Sequence, residues 1–139
     1  MSAKPIHEYD GKLLLAHWLA TDASTAAFLP PSRMVHLKFD TSILANRDGG
    51  ASSHQAQMDA FLAHVDKLFD EAESHNPWVR DMKLVCKPDQ LIKRRGKAGL
   101  LGIGLDWAGV KDWIRARAGR EFKVGAFYLV AFDGSDVYV

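Results

Sequence analysis

Met82-Lys83-Leu84-Val85-Cys86-Lys87, running into Pro88, and Gly99-Leu100-Leu101-Gly102-Ile103-Gly104-Leu105 are the two stretches that decide the fold. The first is a short apolar run stopped by proline and reads as a strand. The second reads as its return partner. A basic loop, Asp89 to Ala98, lies between them. The glycines at 102 and 104 share one spacing, which suggests close strand packing.

Working outward, Trp107 to Ala118 reads as a helix with Trp107, Val110, Trp113, Ile114 and Arg117 on one side and Gly119 as its stop. Beyond it, residues 122–124, 127–132 and 137–139 read as short strands, with Asp133-Gly134 a hairpin turn between the last two. Upstream, Met58, Phe61, Leu62, Val65, Leu68, Phe69 and Ala72 form one apolar stripe at helical spacing and should face the core. Ser52 with Gln55 suggests a capping box at its start, and Asn76-Pro77 ends it. Residues 46–53 read as a loop, and the segment 40–56 as a whole as a loop within the domain. Met34 to Phe39 alternates as a half-buried strand does, and residues 21–32 form a connector. In residues 6–20, Ile6, Tyr9, Leu13, Leu14 and either His17 or Trp18 recur at spacings of three and four, which predicts a first helix. The expected fold class is α/β (α+β): three helices beside a small, mostly antiparallel sheet, in one domain over 1–139.

Composition sets bounds on function. The 139 residues are 47% hydrophobic and 25% charged, with a net charge of +1. That balance argues against disorder and gives no global field for nucleic acid or acidic lipid. Lone Cys86 excludes an internal disulfide framework and a cysteine zinc cluster, and it fits a reducing compartment. No apolar run is long enough to span a membrane, and the first residues do not read as a secretory signal. The expectation is a soluble, cytosolic chain without nucleic-acid or membrane partners.

Chemistry concentrates in residues 87–99. Lys87, Lys93, Arg94, Arg95 and Lys97 stand there against one acid, Asp89. A strand delivers Lys87, and a glycine-containing basic loop can fold back over it, so that ammonium and guanidinium meet one polyphosphate. Gly96 would let backbone N–H groups approach phosphate oxygens without a Cβ in the way. A solvated basic turn or a weak nucleic-acid patch would carry the same charges, although no aromatic side chain sits in the loop to stack a base. There is no P-loop, no Rossmann fingerprint and no nucleophile elbow. The six histidines lack metal-ligand spacing. Cys86 reads as a packed, inert thiol.

The block Lys87-Pro88-Asp89-Gln90-Leu91-Ile92-Lys93-Arg94-Arg95-Gly96-Lys97-Ala98-Gly99-Leu100 closely resembles the ATP-citrate lyase family in its ATP-grasp, succinyl-CoA-synthetase-β-like part. Met1-Ser2-Ala3-Lys4, Gly11-Lys12, Pro77-Trp78 and Gly109-Val110-Lys111 fit the same family, and Ile6-His7-Glu8-Tyr9 resembles the opening helix of succinyl-CoA synthetase β subunits. Pro31-Ser32-Arg33 and an insert over 40–75 look more like the separate small subunit of fungi. The resemblance implies an enzyme that uses ATP to convert citrate and CoA to acetyl-CoA and oxaloacetate in the cytosol. It places Lys87, Arg95 and Gly96 on the ATP phosphates, and it implies ATP and Mg²⁺ as cofactors and other lyase subunits as partners.

Departures from the family pattern qualify that expectation. Glu121 is the last glutamate, so the family's Glu-Pro-Phe-Val hinge for adenine and ribose has no counterpart, and the magnesium ligands of the second lobe have no matching residues. The resemblance therefore implies a truncated, incomplete ATP-grasp lobe with no catalytic residue of its own. An inactive fragment or pseudoenzyme that assembles with a lyase subunit is the alternative. A succinyl-CoA synthetase β relative is a weaker one, since that family carries Gly-Gly-Arg-Gly-Lys where this chain has Lys93-Arg94-Arg95-Gly96-Lys97. In the family Phe127, Leu129, Val130 and Phe132 would be covered by the rest of the sheet and the second lobe; if exposed here, they should form an edge strand and apolar patch that promote association.

Overall fold

The structure is a computed structural model that describes residues 6–21, 33–44, 51–89, 99–119 and 126–132. Among them are α1 (Glu8–Ala20), β1 (Met34–Lys38), α2 (Ala51–His75), β2 (Lys83–Pro88), β3 (Gly102–Leu105), α3 (Trp107–Arg115) and β4 (Ala126–Phe132). Short 3₁₀ turns cover Thr41–Leu44 and Pro77–Arg80. The four strands form one antiparallel sheet in the order β1-β4-β2-β3. The α/β reading with three helices and a small antiparallel sheet holds.

One face of the sheet carries the core. Val35 and Leu37 of β1, Leu84 and Cys86 of β2, and Phe127 and Leu129 of β4 pack against Phe61, Val65 and Phe69 of α2 and Val110 and Ile114 of α3. Strand pairing explains the selection. Val35 and Cys86 both pair with Leu129, and partners across an antiparallel ladder share a face. Aromatic rings lock the layers edge to face, with Phe69 on Trp107 at 5.8 Å and Trp113 on Phe127 at 5.7 Å.

The stripe on α2 lies where its spacing predicted. Phe61, Val65, Phe69 and Ala72 are buried, and Met58 and Leu68 pack beside them. The 40–75 insert is therefore a wall of the core. The start of α2 differs from expectation. Residues 51–56 are already helical and Thr41–Leu44 is a 3₁₀ turn, so 40–56 is not one loop. Ser52 sits inside the helix and Gln55 Nε2 donates to Asp59 Oδ1 at 2.9 Å, which replaces the predicted capping box. The end is as read: Asn76 N–H closes on the Ala72 carbonyl at 2.9 Å and Pro77 opens the 3₁₀ turn.

α3 begins at a cap the composition did not advertise. The Asp106 carboxylate accepts from Gly109 N–H at 2.7 Å. Regular helix stops at Arg115, and Gly119 takes φ +69°. A Cβ at Gly119 would stand 2.6 Å from Leu44 and 2.7 Å from Phe61, so the position needs glycine twice over. At Gly102 a Cβ would meet Leu105 of the same strand at 2.7 Å and Trp113 of α3 at 3.2 Å, so the glycine makes room for the helix and not, as expected, for a neighbouring strand.

Two expectations are overturned. β4 is an interior strand between β1 and β2, and Phe127 and Leu129 are fully buried under α2 and α3, so they form no exposed edge. Among the described residues, most exposed apolar side chains belong instead to α1, which buries no residue and leaves Leu14, Leu15 and Trp18 in solvent. Its recurring apolar residues do not face the core. The predicted strands at 122–124 and 137–139, the Asp133-Gly134 turn and the connector 22–32 lie outside the described residues.

Candidate functional site

Side chains alternate across a pleated sheet, so the residues between the core positions project to the opposite face. On β2 that residue is Lys87, and on β1 it is His36. Both pair with Tyr128 of β4, one from each side, which sets them at one level of the sheet. The first turn of α1 lies against this face.

Lys87 is 7% exposed and its Nζ donates to Glu8 Oε1 at 3.2 Å. The stem can lie along the sheet because β2 is covered on both sides, while the ammonium requires an anion to stay charged there. Glu8 also meets Lys12 at 3.3 Å, one helical turn along. Two residues on, Asp89 is 5% exposed. Its carboxylate Oδ1 accepts the Tyr9 N–H at 3.3 Å, and its backbone carbonyl accepts from His7 Nδ1 at 2.8 Å. His7 itself makes no capping bond at the helix start, so an acid 80 residues away in sequence satisfies the end of α1. His36 Nε2 is buried 3.1 Å from Asp89 Oδ2 without the alignment of a hydrogen bond, and the His36 ring stacks on Tyr9 at 4.3 Å. Burial, followed by the charges of Asp10 and Asp89, raises the Tyr9 hydroxyl above its ordinary value.

The basic loop is thus anchored at both described ends. Asp89 fixes its start. At its return, Leu100 is buried and Arg117 donates from Nε to the Gly99 carbonyl at 3.1 Å while its guanidinium lies 4.3 Å over the Trp113 ring. Of the predicted phosphate-binding residues, Lys87 stands in this site, and Arg95 and Gly96 lie outside the described residues. Cys86, beside Lys87 in sequence, faces the core instead. Burial pushes its thiol well above the ordinary range against a smaller opposing effect from Arg117, as expected for an inert sulfur.

In the sequence Glu8 and Tyr9 stand only as parts of the first helix, and His36 as a polar position of a half-buried strand; nothing there assigns them to a site. The signal that was present is Asp89, the one acid in a run of five cations. An open cleft of about 340 Å³ adjoins the site between Tyr9, His36, Glu71, Ala72, His75 and Asn76. Among the described residues no three His, Cys, Asp or Glu side chains gather to hold a metal ion, and no helix is long and apolar enough to cross a membrane.

No model of a known family matches the chain. Individual proteins do. Subunit 2 of an ATP-citrate synthase from Schizosaccharomyces pombe is 40% identical over 95% of this chain, which spans 27% of that protein. The ATP-citrate synthase of Mus musculus is 38% identical over 90% of the chain, which spans 9% of it. Among solved structures, ATP citrate lyase from Methanothrix soehngenii, in complex with citrate and coenzyme A, superposes with a TM-score of 0.65 over 97% of this chain and 27% of that one, at 22% identity. That likeness concerns the fold. The chain thus spans about a quarter, or less, of the relatives it matches. The sequence matches give the family: the chain belongs to the ATP-citrate lyases, also called ATP-citrate synthases, as a relative of their N-terminal part.

Proposed function

We propose that this chain supplies the phosphate-gripping lobe of an ATP-grasp unit in an ATP-citrate lyase. One observation carries the reading. Lys87 is a buried cation at the end of an interior strand, followed in sequence by Lys93, Arg94, Arg95 and Lys97. A buried ammonium with an anion already on it is chemistry that suits a phosphate oxygen. Lys87 would hold one phosphate as a point charge, Arg95 would bind two oxygens through its fork, and Gly96 would admit backbone N–H groups. Their work is orientation and charge neutralisation. Bound ATP supplies the phosphoryl group, and magnesium would arrive with its phosphates, as that ion commonly does. The overall reaction would be that of the family: citrate, CoA and ATP give acetyl-CoA, oxaloacetate, ADP and phosphate. A cytosolic location and assembly with other lyase subunits complete this reading, and the subunit name of the fission yeast relative supports the latter.

The test is calorimetric titration of Mg-ATP into the chain beside a Lys87→Ala/Arg95→Ala variant. Saturable binding tighter than about 1 mM, lost in the variant, is expected. Heat that never saturates, or binding that the variant keeps, would sink the reading.

A second reading has its own observation. Leu14, Leu15 and Trp18 expose an apolar surface on α1. This favours a chain that serves chiefly to assemble with a lyase subunit. Co-purification with that subunit, without ATP hydrolysis by the complex, is the result that would favour it over the first.

A further inference from the structure

Among the described residues, polar contacts from the first turn of α1 and from His7 before it tie the helix to the sheet. The helix buries no residue, and Leu14, Leu15 and Trp18 are 51%, 59% and 64% exposed. Among the contacts that reach the sheet are the Tyr9 N–H on Asp89, the Tyr9 ring on His36, the His7 ring on the Asp89 carbonyl, and the Glu8 carboxylate on Lys87. One of these fixings uses the cation that the reading above assigns to phosphate.

We propose that Glu8 is the resident anion of Lys87 and that nucleotide phosphate binds in competition with it, so that phosphate occupancy and the attachment of α1 are coupled. This rests on the reading of Lys87 as a phosphate ligand. A phosphate oxygen within hydrogen-bond reach of Nζ would stand a few ångströms from the Glu8 carboxylate, and like charges at that distance in a half-buried site repel. Glu8 has somewhere to go. Lys12 already holds the same oxygen, Oε1, at 3.3 Å, against 3.2 Å for Lys87, so the carboxylate can keep one cation while releasing the other. Lys87 in turn exchanges one counter-ion for another and is never left buried and unpaired. Linkage makes the effect reciprocal: whatever tightens α1 on Lys87 weakens phosphate, and the converse.

The experiment compares wild type, Glu8→Gln and Lys87→Met in titrations with Mg-ATP, with circular dichroism to confirm that each folds. Glu8→Gln should bind about tenfold more tightly than wild type, the usual order for relieving one charge-assisted contact. It should also melt lower without nucleotide and gain more from it, a crossing pattern that a merely structural glutamate would not produce. Glu8→Gln binding equal to or weaker than wild type, with Lys87→Met abolishing binding, would overturn the competition and leave the phosphate reading intact. No binding by wild type and Glu8→Gln alike would overturn both. As a second readout, Mg-ATP should speed hydrogen exchange in the first turn of wild-type α1; unchanged or slower exchange there would overturn the coupling.

Discussion

The carboxylate of Asp89 accepts the backbone N–H of Tyr9 across 80 residues of sequence, at 3.3 Å. A helix end that is usually capped by its own neighbour is capped here by the residue after β2. The basic loop and the first helix therefore share one anchor. Asp89→Ala should release α1 before the sheet unfolds, at a cost of about 1–3 kcal/mol for the lost charged acceptor. Hydrogen exchange should show α1 amides opening early while β2 and β4 stay protected. Uniform destabilisation of sheet and helix would contradict this.

Gly119 closes α3 in a left-handed conformation and lies against Leu44 and Phe61. Gly119→Ala should cost about 1–3 kcal/mol from backbone strain alone, with the Cβ clash in addition. Chemical denaturation should show a lower midpoint with an unchanged slope.

Glu73 receives the Trp107 indole N–H at 2.8 Å and is paired with Arg80. These two bonds, Trp107 first, hold its carboxyl below the usual glutamate value of 4.5. A depressed acid contributes stability that is complete above its unfolded value and is lost as pH falls through the folded one. The melting temperature of wild type should therefore fall more steeply below about pH 4.5 than that of Glu73→Gln. Parallel curves would remove Glu73 from the acid response.

The apolar side chains of α1 should promote association. Leu15→Lys with Trp18→Lys should shift sedimentation toward monomer at high protein concentration while leaving the fold intact, because neither residue is in the core. A wild-type chain that is monomeric throughout would contradict it.

Cys86 should resist aromatic disulfide reagents in the native protein and react promptly in denaturant, since its sulfur is buried and its thiolate disfavoured. Fast native labelling would show that β2 opens.

Much of the core could be read from the chain alone because periodicity is a local property. The α2 stripe at Phe61, Val65, Phe69 and Ala72 and the α3 positions Val110 and Ile114 are buried as their spacing required. The same signal misled at α1. Recurring Leu13, Leu14 and Trp18 describe a helix, but these side chains stand in solvent, and periodicity carries no information about what lies opposite. The turn-forming residues of 46–53 suggest a loop, and Ser52 a helix start; the helix already holds Ala51–Ser53, because propagation from the strong stripe that follows outweighs that local preference.

The sequence by itself determined the family, the β2–loop–β3 hairpin and Lys87 as the cation at its base, because each is written in contiguous residues. Tertiary structure alone decided that β4 is interior, since strand order depends on pairings distant in sequence. It alone also decided which anions meet that hairpin. Glu8 lies 79 residues from Lys87, and Tyr9 lies 80 from Asp89. Only the seating of the first turn of α1 against the sheet brings them within reach, and a charge pair exists through distance in space rather than order in the chain.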